Sequence, residues 1–399
     1  MKAILKLLVG FAVGIAAGLM IAAILIACFT DTTFAEFITK LKSTDFSEMM
    51  LAAGVGVLAF LVSQMFLIIL HESGHLVCGL LSEYKFVSFR IFNLTFIKID
   101  SRLRIRRYSI AGTGGQCLLT PPDLPLEKIP TGWYNFGGVL FNIVALLAVV
   151  PLFFAKLNPF LSECVVIFAL TDAMLILLNG IPMKVSGAGN DAYNMLLLRK
   201  NPLAKRGFVI ALRSNALLQQ GVRPKDMPQD WFAVPETINY HDQLEVSIPM
   251  MAAGCLTDEL RYADARTAYE NLNNHKDEII GLYVKEIACE LVFLRLICGD
   301  IDGAKELLDE NLKRYIKTYR KVMSSKERIQ CAIALKLDGN REEATAIYDE
   351  VKKRRQNYLL QGEVDSDLAI MSDILTLGAQ HGMDIKDIPR RGDLSHPDT

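Results

Sequence analysis

The chain has 399 residues, 51% of them hydrophobic, with 43 Lys and Arg against 44 Asp and Glu. That length allows two or three units, and a net charge of -1 offers no basic surface of the kind nucleic-acid binding needs, so no nucleic-acid partner is expected. The charges are unevenly placed: residues 1–182 carry 24 Asp, Glu, Lys and Arg and residues 183–399 carry 63, which reads as a membrane half followed by a soluble half.

About 20 apolar residues suffice to cross a bilayer. Four stretches qualify, at 5–28, 50–81, 133–155 and 161–182, and predict a four-helix polytopic membrane domain. The first follows Lys2 and Lys6 and carries Gly10, Gly14 and Gly18 at four-residue spacing, a smooth ridge for helix packing. Its start also resembles a signal peptide, with LIAC at 25–28 like a lipoprotein cleavage box, but its apolar run exceeds the roughly 7–15 residues of a signal core. The loop 82–132 holds eight Lys or Arg against four Asp or Glu, and the loop 29–49 holds two against four. Basic loops favour the cytoplasmic side. Both termini are therefore expected in the cytoplasm, in an integral protein of a bacterial plasma membrane.

Within the basic loop, KFVSFRIFNLTFIKI and the alternating LRIR at 103–106 predict two or three short strands at the membrane surface. AGTGGQCLLTPP at 111–122 reads as a glycine-rich turn, or as backbone that dips toward an active site. After residue 200 the pattern becomes helical and soluble, with the proline-bearing stretch 221–236 as a linker. GDIDGAKELLDENL at 299–312 and GNREEATAIYDEV at 339–351 match in spacing, with Gly299 over Gly339 and Ala304 over Ala344. An earlier copy places Ala265 and Tyr269 in register, at an interval of 39 or 40 residues. Antiparallel helix pairs with a small residue at each crossing explain such a period. This resembles tetratricopeptide repeats, although the period is longer than theirs and their proline is missing. The eight scattered cysteines argue for a reducing compartment rather than a disulfide framework.

The chemistry gathers at HESGH, residues 71–75, inside the second apolar stretch. Residues four apart share a helix face, so His71 and His75 can ligate one zinc ion. Glu72 lies beside them, placed to take a proton from water there; this is the HExxH arrangement of metalloproteases. Ionisable groups within a membrane helix cost at least ~2.5 kcal/mol each near the bilayer centre, and a metal gives three of them a reason to be there. A zinc site of this kind needs a third protein ligand. The other four histidines, His241, His275, His381 and His396, all lie in the soluble half, which leaves a carboxylate near the fourth helix: Asp172 within it or Asp191 after it. Cys78, on nearly the same face as His75, is read as a buried apolar-like side chain.

HESGH in a hydrophobic helix, GGVLFN at 137–142, and NGIP at 179–182 followed by Asp191 resemble the three core motifs of site-2 proteases, the intramembrane zinc peptidases of family M50. The resemblance covers roughly residues 50–195. It implies Asp191 as third ligand, Asn142 and Asn179 as groups that hold substrate or steady the oxyanion, and a β-region whose edge pairs with an extended substrate. Twelve residues separate Asn179 from Asp191 where the family has eight, and Ala192 follows where the family has glycine; Asp172 stays the alternative metal ligand.

The expected fold is thus mainly α. An N-terminal helix and external loop (1–49) precede a membrane core (50–195) with a β-region at 82–120. Connecting helices and the linker (196–236), a cytoplasmic TPR-like α-solenoid (237–382) and a disordered tail (383–399) follow. The expected function is a zinc metalloendopeptidase that cuts membrane proteins or peptides within or beside the lipid bilayer, with a cytoplasmic partner or regulator on the repeats. The alternative is a catalytically inactive membrane-anchored TPR-like scaffold. A different integral zinc peptidase would take a glutamate ligand from a later helix, and Glu163 is the only acid at the start of the fourth one.

Overall fold

The computed structural model describes residues 39, 43–99, 102–107, 114–185 and 187–380. The predicted helix at 5–28 with its glycine ridge, the tail 383–399, His381 and His396 lie outside the described residues. Thirteen α-helices occur among the described residues, with one four-stranded antiparallel sheet and one two-stranded hairpin. Three helical segments are long and apolar enough to cross a membrane: Phe46–Leu81, Leu126–Phe154 and Pro159–Gly180, each with a mean hydropathy of at least 2.2. They fall where the second, third and fourth apolar stretches predict them.

The first, α1 (Phe46–Leu81), runs 36 residues without a break. At 1.5 Å per residue it is about 54 Å long, well beyond a hydrocarbon core of about 30 Å. The sheet follows it directly: β1 (Lys85–Ile91), β2 (Leu94–Ile99), β3 (Arg102–Arg107) and β4 (Gly115–Thr120), in the spatial order β3-β2-β1-β4. The sequence predicts the first three strands. The fourth was hidden in the glycine-rich stretch, and it forms the sheet edge opposite β3. Cross-strand partners share a face. The pairings Phe89 with Phe96, Phe96 with Ile105, and Phe89 with Cys117 therefore gather one apolar face, while Arg90, Thr95, Arg104 and Arg106 lie on the other.

Helix α2 (Gly132–Val149) continues as a 3-10 turn to Phe154, and α3 (Pro159–Gly180) returns. The hairpin β5 (Lys184–Val185) and β6 (Ala188–Gly189) leads into α4 (Asp191–Lys200) and α5 (Pro202–Gln219). Asn190 and Asn201 cap these two helices by accepting hydrogen bonds from their first free N–H groups. One apolar core joins Tyr84, Val87 and Cys117–Leu119 to Tyr134 of α2 and to Val209, Leu212 and Ala216 of α5.

The C-terminal part is a series of helical hairpins: α6 (Gln243–Asp258) with α7 (Tyr262–Asn273), α8 (Gly281–Ile297) with α9 (Ile301–Leu307), and α11 (Ser324–Lys336) with α12 (Arg341–Arg354). Helix α10 (Glu310–Tyr319) lies between the last two pairs, and α13 (Gln361–Gln380) closes the series. The predicted register appears as geometry. Ala265, Ala304 and Ala344 are all fully buried where the pairs cross. Gly299 and Gly339 turn each pair with φ of 81° and 66°, and Leu260, 39 residues before Gly299, takes the same left-handed turn at φ 61°. The first copy thus keeps the turn without the glycine that would mark it. The proline-bearing stretch is not a free linker: Arg223 Nε and the Lys225 backbone N–H both donate to Asp258 at 3.0 Å.

Candidate metal centre

His71 and His75 sit one turn apart on α1, and Asp191 opens α4. Asp191 Oδ2 lies 3.0 Å from His71 Nε2 and 3.3 Å from His75 Nε2, and the two Nε2 atoms are 3.2 Å apart. The three side chains are only 12–21% exposed, and they are the one group able to hold a metal ion among the described residues.

Hydrogen bonds settle which ring atoms face inward. His75 Nδ1 lies 2.7 Å from the Tyr134 carbonyl, which can only accept, so Nδ1 carries a proton and the neutral ring has its lone pair on Nε2. His71 Nδ1 lies 2.7 Å from Asn142 Oδ1. The Asn142 amide is oriented by its other end, where Nδ2 donates to Asp172 Oδ1 at 2.7 Å. Its oxygen therefore faces His71, and His71 Nε2 is also bare. Asp191 Oδ2 is buried and has no hydrogen-bond partner. Three electron-rich atoms in mutual contact need positive charge among them, as a proton or as a cation.

The spacing fits zinc. Ligands about 2.0–2.1 Å from a tetrahedral zinc are about 3.3 Å from one another, close to the 3.0–3.3 Å found here. Space is kept open beside them: a Cβ on Gly138 would sit 2.5 Å from His71 Nε2 and 2.6 Å from His75 Nε2. The helices themselves meet at glycine, since a Cβ on Gly74 would strike the Gly137 carbonyl oxygen at 2.2 Å. GGVLFN is thus a contact surface first: Gly137 admits α1, Gly138 clears the ligands, and Asn142 orients His71.

Glu72 lies against β4. A Cβ on Gly115 would meet its carboxylate at 2.7 Å, and the Cys117 backbone hydrogen-bonds to it. Arg90, 2% exposed, holds this end of β4 by donating to the Gly115 carbonyl at 3.2 Å and to Phe92 at 3.0 Å. Tyr134 OH donates to the Cys117 carbonyl at 2.9 Å. The strand edge beside the glutamate is therefore β4, not the 86–106 segment that the sequence suggests.

The twelve-residue gap before Asp191 is folded out as the β5–β6 hairpin, closed by the Asn190 N–H donating to the Met183 carbonyl at 3.0 Å. Asn190 Nδ2 also donates to the carbonyls of Leu178 and Ile181, at 2.7 and 2.6 Å, where α3 ends. The extra residues thus leave Asp191 anchored to the helix end rather than on a loose detour. Lys184 of the hairpin donates to the His241 carbonyl at 2.9 Å, and a Cβ on Gly187 would meet Ile280 at 2.5 Å; both partners belong to the C-terminal part.

The remaining candidates fall elsewhere. Asp172 is fully buried on α3 and reaches Asn142, not the metal group. Asn142 is also fully buried and engages the other nitrogen of the His71 ring, so it presents no donor to a substrate here. Asn179 donates to the Leu175 carbonyl of its own helix at 3.1 Å. Glu163 lies beside Gly56, fifteen residues before His71 in α1. Cys78, on α1, is buried against Gly137, and His275 pairs with Glu278 at 3.0 Å. Tyr134, Arg90 and Asn190 were missed: they act through a backbone carbonyl, a buried guanidinium and a helix cap, and none of these has a motif. No protein-family model, curated protein or solved structure matches the chain.

Proposed function

We propose that this chain is an intramembrane zinc peptidase of the site-2 protease type, multi-pass in the membrane with both termini in the cytoplasm. The observation that carries the reading is the convergence of two bare Nε2 atoms and an unpartnered carboxylate oxygen within 3.0–3.3 Å, beside Glu72. His71, His75 and Asp191 would hold the metal. When bound, zinc supplies Lewis acidity, which polarises a carbonyl and makes water a nucleophile near neutral pH.

The chain's own residues do the rest. Glu72 takes the proton from the attacking water and passes it to the leaving amine. The Cys117 backbone and Gly115 fix that carboxylate in place. A substrate must arrive extended, because a helical peptide bond is shielded by its own hydrogen bonds. The edge strand β4, against which Glu72 lies, is where such a strand would add, on backbone groups other than the Gly115 and Cys117 carbonyls, which Arg90 and Tyr134 already hold. The helical hairpins form a TPR-like solenoid that recruits or gates substrate, and its contacts with the β5–β6 hairpin give it a path to the residue next to Asp191.

The test is zinc content beside cleavage of a single-span substrate, with the full chain in detergent or nanodiscs. Wild type is expected to hold one zinc and cut, Glu72→Gln to hold zinc without cutting, and Asp191→Ala to lose both. A folded wild type that binds no zinc would leave the inactive scaffold as the better reading.

A further inference from the structure

We infer that Asp172 is a positioning residue: through Asn142 it sets the tautomer of His71 and so makes Nε2 available to the metal. The inference rests on the zinc reading above. A neutral histidine carries its proton on one ring nitrogen only, and only the other can ligate. The Asn142 side chain can present either its oxygen or its NH2 group to His71 Nδ1, because the two ends of an amide are nearly the same size. Presented with the oxygen, Nδ1 keeps the proton and Nε2 is bare. Presented with the NH2 group, Nδ1 must accept, and the proton moves to Nε2, where it blocks the metal.

Asp172 decides between the two. Its carboxylate oxygen is an acceptor, 2.7 Å from Asn142 Nδ2, so the NH2 end must point to α3 and the oxygen to α1. Both residues are 0% exposed, so no water can take over either bond. The arrangement also gives an intramembrane acid its reason. An ionisable group inside an apolar helix is costly, and this one has no ion-pair partner among the described residues; its Oδ2 has no hydrogen bond at all.

The experiment measures zinc affinity of the full-length protein by competition with a chelator of known affinity, together with the visible spectrum of the cobalt-substituted protein. Asp172→Leu removes the acceptor and is more readily inserted in a membrane helix than aspartate. It is expected to weaken zinc by about 10- to 100-fold, the usual effect of losing a group that orients a ligand, and to alter the cobalt bands. Asp172→Asn, which can still turn an oxygen toward Asn142, is expected to stay within about threefold of wild type. Asn142→Leu should match Asp172→Leu, and the double variant should be no worse than either, because both break one chain of bonds. Should Asp172→Leu not fold, Asp172→Ala gives the same reading. The inference is overturned if Asp172→Leu binds zinc like wild type, if Asp172→Asn loses as much as Asp172→Leu, or if the two single losses multiply. A wild type without zinc overturns this inference and the peptidase reading together; zinc in wild type with no loss in Asp172→Leu overturns this inference alone.

Discussion

Buried charge is handled in opposite ways in two regions of this chain. In the helical hairpins the two most deeply buried cations meet carboxylates. Arg328 donates twice to Glu290, at 2.7 and 2.8 Å, and once to Asp367 at 2.7 Å, and the fully buried Lys326 reaches Glu286 at 2.6 Å. In the candidate metal centre, His71, His75 and Asp191 turn lone pairs toward one another, and Gly138 keeps a side chain from filling the space. The first arrangement is self-sufficient and holds α8, α11 and α13 in register. The second is incomplete by itself, and that is the mark of a ligand site rather than of packing.

Breaking the first arrangement should cost the most. Arg328→Ala strands two buried carboxylates, and such a loss costs about 3–5 kcal/mol. Thermal unfolding of the full chain should show it, while zinc content of the fraction still folded stays at the wild-type level. If zinc falls in step with the unfolding, the two regions are not separable in the way described.

Gly138→Ala probes the second arrangement. Alanine favours helix, so α2 should persist. Its Cβ would stand about where the ligand nitrogens are, and a displacement of about 1 Å at a catalytic centre can cost about 100-fold in rate. Cleavage should fall by at least that factor with little change in melting temperature. An active Gly138→Ala enzyme would show that the ligands are not where the geometry puts them.

Gly339→Ala tests the turns of the repeat. Nothing lies within 4 Å of its Cβ position, so the cost is the left-handed backbone alone, about 1 kcal/mol. A drop of a few degrees in the C-terminal part's melting is expected, with cleavage unchanged.

The smallest effect sharpens the comparison by pH. Burial, and then the charge of Asp367, push the Glu363 carboxyl up to about 8. A carboxyl raised in the folded state stabilises it at low pH, and the benefit is lost as pH rises from about 4.5 through 8. Glu363 keeps part of its surface in water, so the loss is modest. Melting curves at several pH values should fall less steeply for Glu363→Gln than for wild type.

Much of this was legible before any fold was known. The apolar stretches predicted the three helices that are long and apolar enough to cross a membrane, because length and composition are local properties. HESGH placed two ligand candidates on one face, with a base beside them, because helical spacing is a local property. The 39- or 40-residue register announced the helix pairs, and even Leu260, which has no glycine to betray it, sits where that register requires a turn. What stayed hidden was contact between segments far apart in the chain. β4 looked like a loop because its glycines serve close approach to Glu72 rather than a turn. Asn142 looked like a substrate contact, although it binds the back of the His71 ring.

The chain's sequence by itself therefore determined the division into an apolar and a charged half, the helical spacing of His71 and His75, and the repeat. The tertiary structure alone decided between Asp191 and Asp172 as the carboxylate beside those histidines. Both acids are close to the same helix end in sequence. The choice depends on a hairpin that folds the extra residues out, an Asn190 cap that ties Asp191 to the end of α3, and a second asparagine that takes Asp172 for itself. The bonds made by that second asparagine join residues 30 and 71 positions apart, and no local pattern records them.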